Sequence, residues 1–365
     1  KEPELFINSK PLQSSFKESH LGITRSVKNN NYDTVKGRVQ SARIAAFSLM
    51  GAGLHGLNGT GPEVASIQYN TYVIPTLLYG LEALVLSDSE VKILSAYHRK
   101  TLRYIQHLPQ STATPALFLL MGVLPVEAQL DVKTLTFFRN AIAADVRTPP
   151  AIYMQELLLR QLAIKDVDSS SWVNHVKCLS RKYDLPSPYE IALNPPSKQS
   201  WKMHVKEAVL YRWTEVFQEQ ARGMKSLKYL NAVGCSLNAP HPVWKGIRSP
   251  LDILKATVKA QLLVGRYALS TSYIAGASQT ALCPLCKDEP EDTVHFLVKC
   301  GSLMETRRPY LKRVLSTCRQ QRLSIDHETL TNIILDTTLL PYHDSRHEEV
   351  CRNMVFKLHT TRQKL

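Results

Sequence analysis

Residues 282–300 read Leu282-Cys283-Pro284-Leu285-Cys286-Lys287-Asp288-Glu289-Pro290-Glu291-Asp292-Thr293-Val294-His295-Phe296-Leu297-Val298-Lys299-Cys300. As a pattern this is C-x2-C-x8-H-x4-C, the spacing of a closed tetrahedral zinc site: a tight turn supplies two thiolates, and the next element an imidazole and a third thiolate. Pro284 and Leu285 suit a knuckle turn. Glu291, Asp292 and Thr293 read as the start of a helix that presents His295 and ends near Cys300. Three thiolates, a neutral imidazole and Zn²⁺ sum to a formal charge of about −1 and leave no open coordination position, so the expected zinc is structural. Its binding energy is then folding energy. The pattern alone leaves three readings open: a zinc-stabilised nucleic-acid-binding element, a structural staple without a ligand of its own, and a chance cluster among seven cysteines.

Working outward, the flanks are basic. A helix is predicted over 251–266. Beyond Cys300 come two or three helices carrying Arg307, Arg308, Lys312, Arg313, Arg319 and Arg322, then Arg352, Lys357, Arg362 and Lys364. The whole chain of 365 residues has net charge +14 and pI near 9.4. Charge of that sign and size points to a polyanion, most often nucleic acid. Hydrophobic residues make up 44% of the chain, which is enough for real cores and excludes a disordered class. There is no apolar run long enough for a membrane span and no signal-peptide pattern, so no membrane partner is expected. The odd cysteine count, with three in a metal pattern, fits an intracellular, reducing compartment, nuclear or cytoplasmic. Cys178, Cys235, Cys318 and Cys351 are expected to be buried thiols. The chain opens at Lys1 and its first methionine is Met50, as expected either of a processed piece or of a fragment of a longer reading frame.

Residues 5–23 carry short extended runs around a turn at Asn8-Ser9-Lys10-Pro11, read as a small β remnant. A helix is predicted over 33–50, with Val35, Val39, Ala42 and Ala46 on one face. Gly51 to Gly61 holds five glycines. Gly51, Gly53 and Gly56 match G-x-G-x-x-G by spacing, but they follow a helix and lack the βαβ setting of a dinucleotide site, so a flexible hinge is expected. Glu63–Leu86 reads as a long apolar helix kinked at Pro75. Ser87-Asp88-Ser89-Glu90 is a capping box. The helix it opens buries Val91, Leu94, His98, Leu102 and Ile105 and displays Lys92, Arg99, Arg103 and Gln106 on another face. That ridge is either a phosphate-contacting surface or an ordinary solvated face. Thr114-Pro115 and Pro125 open two further helices, and Gly122 closes the first of them. Prolines punctuate 146–200. A helix returns over Trp201–Leu230, with Trp201, Trp213, Tyr211 and Phe217 expected to pack internally. Asp88 and Asp131 read as caps or solvated charges. There is no Gly-x-Ser-x-Gly elbow, His-Glu-x-x-His, Walker loop or Asp-Asp pair, so no catalytic residue is assigned.

Tyr69-x-x-Tyr72-Val73-Ile74-Pro75-x-Leu77-x-Tyr79-Gly80-x-Glu82, followed by Leu94 through His98-Arg99-Lys100-x-Leu102-Arg103-x-Ile105, resembles the thumb of non-LTR (LINE-type) retrotransposon reverse transcriptases. Leu117 to Pro125 matches the next thumb element loosely. His20-Leu21-Gly22-Ile23 resembles the strand after the palm's catalytic turn. Leu262-Leu263-x-Gly265-x-x-x-Leu269-x-Thr271 with the Cys/Cys/His/Cys element resembles the zinc-binding domain near the C-terminus of the same proteins. The likeness covers roughly residues 16–145 and 255–310. It implies the C-terminal part of such an enzyme, whose parent is an RNA-directed DNA polymerase. The paired palm aspartates that hold two Mg²⁺ are not in this chain, so it is expected to be no enzyme by itself.

The expected fold is mainly α. It comprises a palm-like β remnant, helix and hinge over 1–62, a helical thumb-like bundle over 63–145, a helical connecting region over 146–250, a zinc-binding domain over 251–310 and basic helices over 311–365. Cys283, Cys286, His295 and Cys300 are the expected zinc ligands, and Lys92, Arg99 and Arg103 the expected nucleic-acid contacts. The expected partner is RNA, DNA or both. Two alternatives stand beside this: a stand-alone element-derived nucleic-acid-binding protein, and a zinc-stapled scaffold for protein partners.

Overall fold

A computed structural model describes residues 6–8, 10–11, 15–26, 31–55, 58–144, 147–164, 170–273, 281–342 and 345–364. Among the described residues, strands occur only toward the N-terminal end. β1 (Phe6–Ile7) pairs antiparallel with β2 (Lys10–Pro11), and β3 (Lys17–His20) with β4 (Ile23–Ser26). Leu21 and Gly22 both have positive φ, +49° and +78°, the signature of a two-residue hairpin turn. The His-Leu-Gly-Ile stretch is therefore the tip of a hairpin and not a single strand. Thr34 ties that hairpin to the first helix: its hydroxyl accepts from the Thr24 N–H and donates to the Thr24 carbonyl.

The rest is helical. α1 (Tyr32–Ser48) buries Val35, Val39 and Ala42. The described part of the glycine-rich loop is closed by the Thr60 N–H on the Gly53 carbonyl at 2.9 Å; Gly56 lies outside the described residues. The expected long helix to Leu86 breaks up. It runs as α2 (Pro62–Gln68), a wide π turn over Tyr69–Val73, and α3 (Ile74–Leu78), and stops at Tyr79. Pro75 supplies no N–H for the regular ladder, and the turn before it widens. Gly80 then takes φ +78°, closed to most side chains. α4 (Asp88–Gln106) opens on the full capping box of Ser87 and Glu90. α5 (Thr114–Met121) ends at Gly122, φ +65°, and α6 (Val126–Ile142) follows Pro125.

α7 (Pro149–Ala163), α8 (Trp172–Lys182) and α9 (Pro188–Leu193) are short. α10 runs from Lys198 to Arg222, capped by Ser197. It ends before Leu230, where 3-10 turns take over. α11 (Pro250–Leu263) leads toward the cysteine segment, and α12 (Met304–Gln320), α13 (His327–Leu335) and α14 (Ser345–Arg362) follow it. No single helix among the described residues is long and apolar enough to cross a membrane.

Two apolar cores organise these helices. The smaller holds Phe138, Leu158, Val173, Val176, Ile191, Trp201 and Val205, from α6 to α10. The larger runs from Val35 in α1 to Leu358 in α14 and takes in Cys283, Phe296, Leu297 and Cys300. α6 and α10 serve both, with Leu130 and Phe217 in the larger and Leu135 and Val209 in the smaller. Indole N–H groups fasten the layers. Trp201 donates to the Leu135 carbonyl at 3.0 Å, and Trp172 to the Glu82 carbonyl at 2.9 Å.

Three expectations about single residues are corrected. Tyr211 is exposed, because it falls on the outer face of α10, while Trp201 and Phe217 are buried. Cys178 is exposed on α8. Asp131 is neither a cap nor a solvated charge: it is buried, with Lys182 Nζ at 2.7 Å and the Tyr183 hydroxyl at 2.5 Å. Those partners lie fifty residues away and cannot be read from local sequence.

Candidate metal centre and nucleic-acid interface

The four candidate ligands are brought together by two backbone devices. First, a short antiparallel bridge pairs Leu282 with Pro290, and the Cys283 N–H donates to the Glu289 carbonyl at 2.8 Å. Inside that bridge the chain turns through Cys286. The Lys287 N–H donates to the Cys283 carbonyl at 2.9 Å, and Lys287 adopts φ +63°. Second, Asp292 caps the next segment by accepting the His295 N–H at 2.7 Å. The chain then makes a π turn over His295–Lys299, with the Cys300 N–H on the His295 carbonyl at 2.8 Å.

The π turn is what makes H-x4-C a usable spacing. In a regular helix, positions five apart diverge by about 140° around the axis. An i to i+5 turn brings them back to one side, and such turns concentrate at functional sites. A helix starting near Asp292 and ending near Cys300 is as expected from sequence; its π winding is not.

One ligand atom from each of Cys283, Cys286, His295 and Cys300 lies within 4.8 Å of all the others. The sulfurs of Cys283 and Cys300 are 3.8 Å apart, and Cys286 Sγ lies 3.4 Å from His295 Nε2. A tetrahedron with metal–sulfur bonds of about 2.3 Å and metal–nitrogen bonds of about 2.0 Å has edges of about 3.8 Å and 3.5 Å. The four side chains therefore fit a metal ion. The thiol of Cys286 is lowered to about 7, first by the backbone N–H of Asp288 directed at its sulfur. Cys300 is raised to about 11, first by burial and then by the neighbouring Cys283.

Residues around the ligands fix them. Glu289 Oε2 sits 3.1 Å from His295 Nδ1, which turns Nε2 toward the sulfurs. The Arg307 guanidinium is buried against the carbonyls of Val298 and Cys300, the latter at 2.7 Å, and no carboxylate pairs with it among the described residues. Glu291 has no exposed side-chain surface. It receives Arg362 of α14 in a fork at 2.5 and 2.8 Å and the Ser270 N–H at 2.8 Å. Burial works to raise its carboxyl, but Arg362 and Ser270 prevail and hold it below the usual range. None of these supporting roles was assigned from the sequence. Only the acidic cluster between the ligands offered a signal.

The basic residues of α4 are placed differently from one another. Lys92 is exposed and Arg99 half-buried, with no ion-pair partner for either among the described residues. Arg103 is half-buried and donates to the Thr112 carbonyl at 3.2 Å; burial, then Arg99, lowers its pKa. Exposed tyrosines lie near the hairpin end of this region. Lys36 stands over the Tyr32 ring at 4.4 Å and Arg38 over Tyr79 at 4.9 Å. Tyr69 and His98 of the thumb-like signature are core instead: the Tyr69 hydroxyl meets His98 Nδ1 at 2.8 Å, and both are fully buried. Comparison with family models, curated proteins and solved structures yields no match for this chain.

Proposed function

We propose that the chain is a zinc-stabilised, nucleic-acid-binding segment of a LINE-type reverse transcriptase, lying C-terminal to the catalytic palm. In this reading α1 to α6 act as a thumb that holds the template–primer duplex by its phosphates. The knuckle and its basic neighbours hold element RNA or target DNA. The observation that carries the reading is the net charge of +14 together with Lys92 and Arg99 on a helix whose opposite face is packed into the core. Exposed Tyr32 and Tyr79, each with a cation over its ring, add the aromatic and basic pairing that strands stack on.

The metal proposed is Zn²⁺: three thiols, one imidazole and tetrahedral edges suit it, and no position is left for a reacting water. A zinc-stapled scaffold for protein partners has an observation of its own in the exposed apolar side chains Ile44 and Phe47 of α1 and Ile67 of α2. The test is binding of a labelled primer–template and of single-stranded RNA by the Lys92→Ala/Arg99→Ala variant. The reading expects affinity to fall and the salt slope to shrink by about two. Unchanged affinity and slope would remove the thumb from the account.

A further inference from the structure

Away from the cysteine cluster, a cleft of about 510 Å³ lies between the turn at Pro242–Trp244, the start of α11 and the N-terminal half of α14. Its volume is that of a small-ligand site. Its floor is built from buried charge. Lys259, with no exposed surface, holds both Glu348 oxygens at 2.7 Å, and Thr337 donates to the same carboxylate at 2.6 Å. At the rim, Asp252 is engaged by Ser249 at 2.9 Å and by Lys255 at 3.4 Å. Glu348 is thus shared between Lys259 and Arg352, whose Nε lies 3.9 Å from it, and Asp252 is paired with Lys255. That leaves Lys245, Arg248 and the outer nitrogens of Arg352 facing the cleft, with Glu349 as the remaining carboxylate.

Arg352 is the telling residue. It is 6% exposed, and its Nη1 donates to the Lys245 carbonyl at 3.0 Å. Its Nη2 has no hydrogen-bond partner among the described residues, and the nearest approach to it over Gly246 is open: a Cβ there would stand 4.0 Å away. Gly246, φ +67°, keeps that approach free of a side chain. A guanidinium with one nitrogen free of protein partners, beside two exposed cations, suits an anion. Pro240 and Pro242, both partly exposed, line the same cleft and give an apolar surface for a flat ring.

We propose that this cleft binds a nucleotide-sized phosphomonoester, its phosphate on Arg352, Lys245 and Arg248 and its base against Pro240 and Pro242. The source is either a free nucleotide or the phosphorylated end of a strand. The site is independent of the α4 ridge, so the Lys92→Ala/Arg99→Ala variant retains it and cleft variants retain primer–template binding.

The test is calorimetric titration of the metal-loaded chain with AMP, UMP, adenosine, inorganic phosphate, and short oligonucleotides carrying a 5′-phosphate or a 5′-hydroxyl. Phosphorylated ligands are expected to bind at least about tenfold more tightly than their unphosphorylated counterparts. The exposed Lys245→Gln/Arg248→Gln pair, which leaves the fold intact, should lose that preference. Arg352→Gln should lose it further, and Glu349→Gln should strengthen binding. Preference for mononucleotides assigns a free nucleotide, and preference for the phosphorylated oligonucleotide assigns a strand end. Equal binding with and without phosphate, no binding at millimolar ligand, phosphate alone binding as well as AMP, or an unaffected rim pair would each overturn the proposal.

Discussion

Glu289 makes the candidate metal centre more than four potential ligands in proximity. Its carboxylate on His295 Nδ1 at 3.1 Å fixes the ring so that Nε2 faces Cys286. Losing such a partner weakens metal binding by about 10- to 100-fold. Competition with a chelating dye should therefore show Glu289→Ala releasing metal at lower dye concentration, and Cys283→Ser not retaining it. Equal retention by both variants and the parent would mean that the cluster is not a metal site. His98 makes a second residue-scale prediction. An unfolded histidine titrates near 6.5, whereas burial holds His98 down at about 4. Below about pH 6.5 the unfolded chain takes a proton that the folded chain refuses until about pH 4. Stability thus falls as pH drops through that window, by on the order of 3 kcal/mol in full. Urea midpoints at neutral and mildly acidic pH should differ less for His98→Gln than for the parent. Identical pH slopes would show that His98 does not carry this term. The ligands themselves were legible in sequence because their spacing is short and their chemistry restrictive. Glu289 and Arg307 were not, because nothing local distinguishes a carboxylate or guanidinium that touches a ligand loop from one in solvent.

Elements whose ends are set by local chemistry were legible as well. Ser87 and Glu90 opened α4 as expected, and Pro115 and Gly122 bounded α5. Such ends depend on residues three or four positions apart. Ser87→Ala should cost about 1 kcal/mol in a denaturation experiment. Gly122→Ala should cost at least about 2 kcal/mol, because φ there is +65° and a Cβ would stand 2.1 Å from the Ala239 carbonyl oxygen. A Gly122→Ala change without effect would mean that α5 does not seat against the 239 loop as described. What sequence could not give is where tertiary packing sets the winding. The π turns at Tyr69–Val73 and His295–Lys299 are of this kind. One accommodates Pro75, and the other brings Cys300 back beside His295. The outward placement of Tyr211 and the pairing of Asp131 with Lys182 depend in the same way on segments far off in the chain.

At the scale of the whole molecule, α14 joins the two proposed sites. Arg352 lies at the cleft, and Arg362 grips Glu291 beside the knuckle, about 15 Å further along the helix. The knuckle's Cys283, Phe296 and Cys300 belong to the core that also holds α1 and α4. Removing the metal should therefore lower the unfolding temperature of the helical core, not merely loosen one loop. An unfolding curve unchanged by chelation would contradict that coupling. The surplus of positive charge does not stabilise the fold; its effect is on association. The most direct test of the account is the affinity of the metal-loaded chain for a primer–template duplex across a salt series. Phosphate contacts along α1 and α4 predict that log affinity falls linearly with log salt, at about −0.9 per contact, for a total of −3 or steeper. A flat dependence, or no binding at low salt, would contradict a nucleic-acid-binding role.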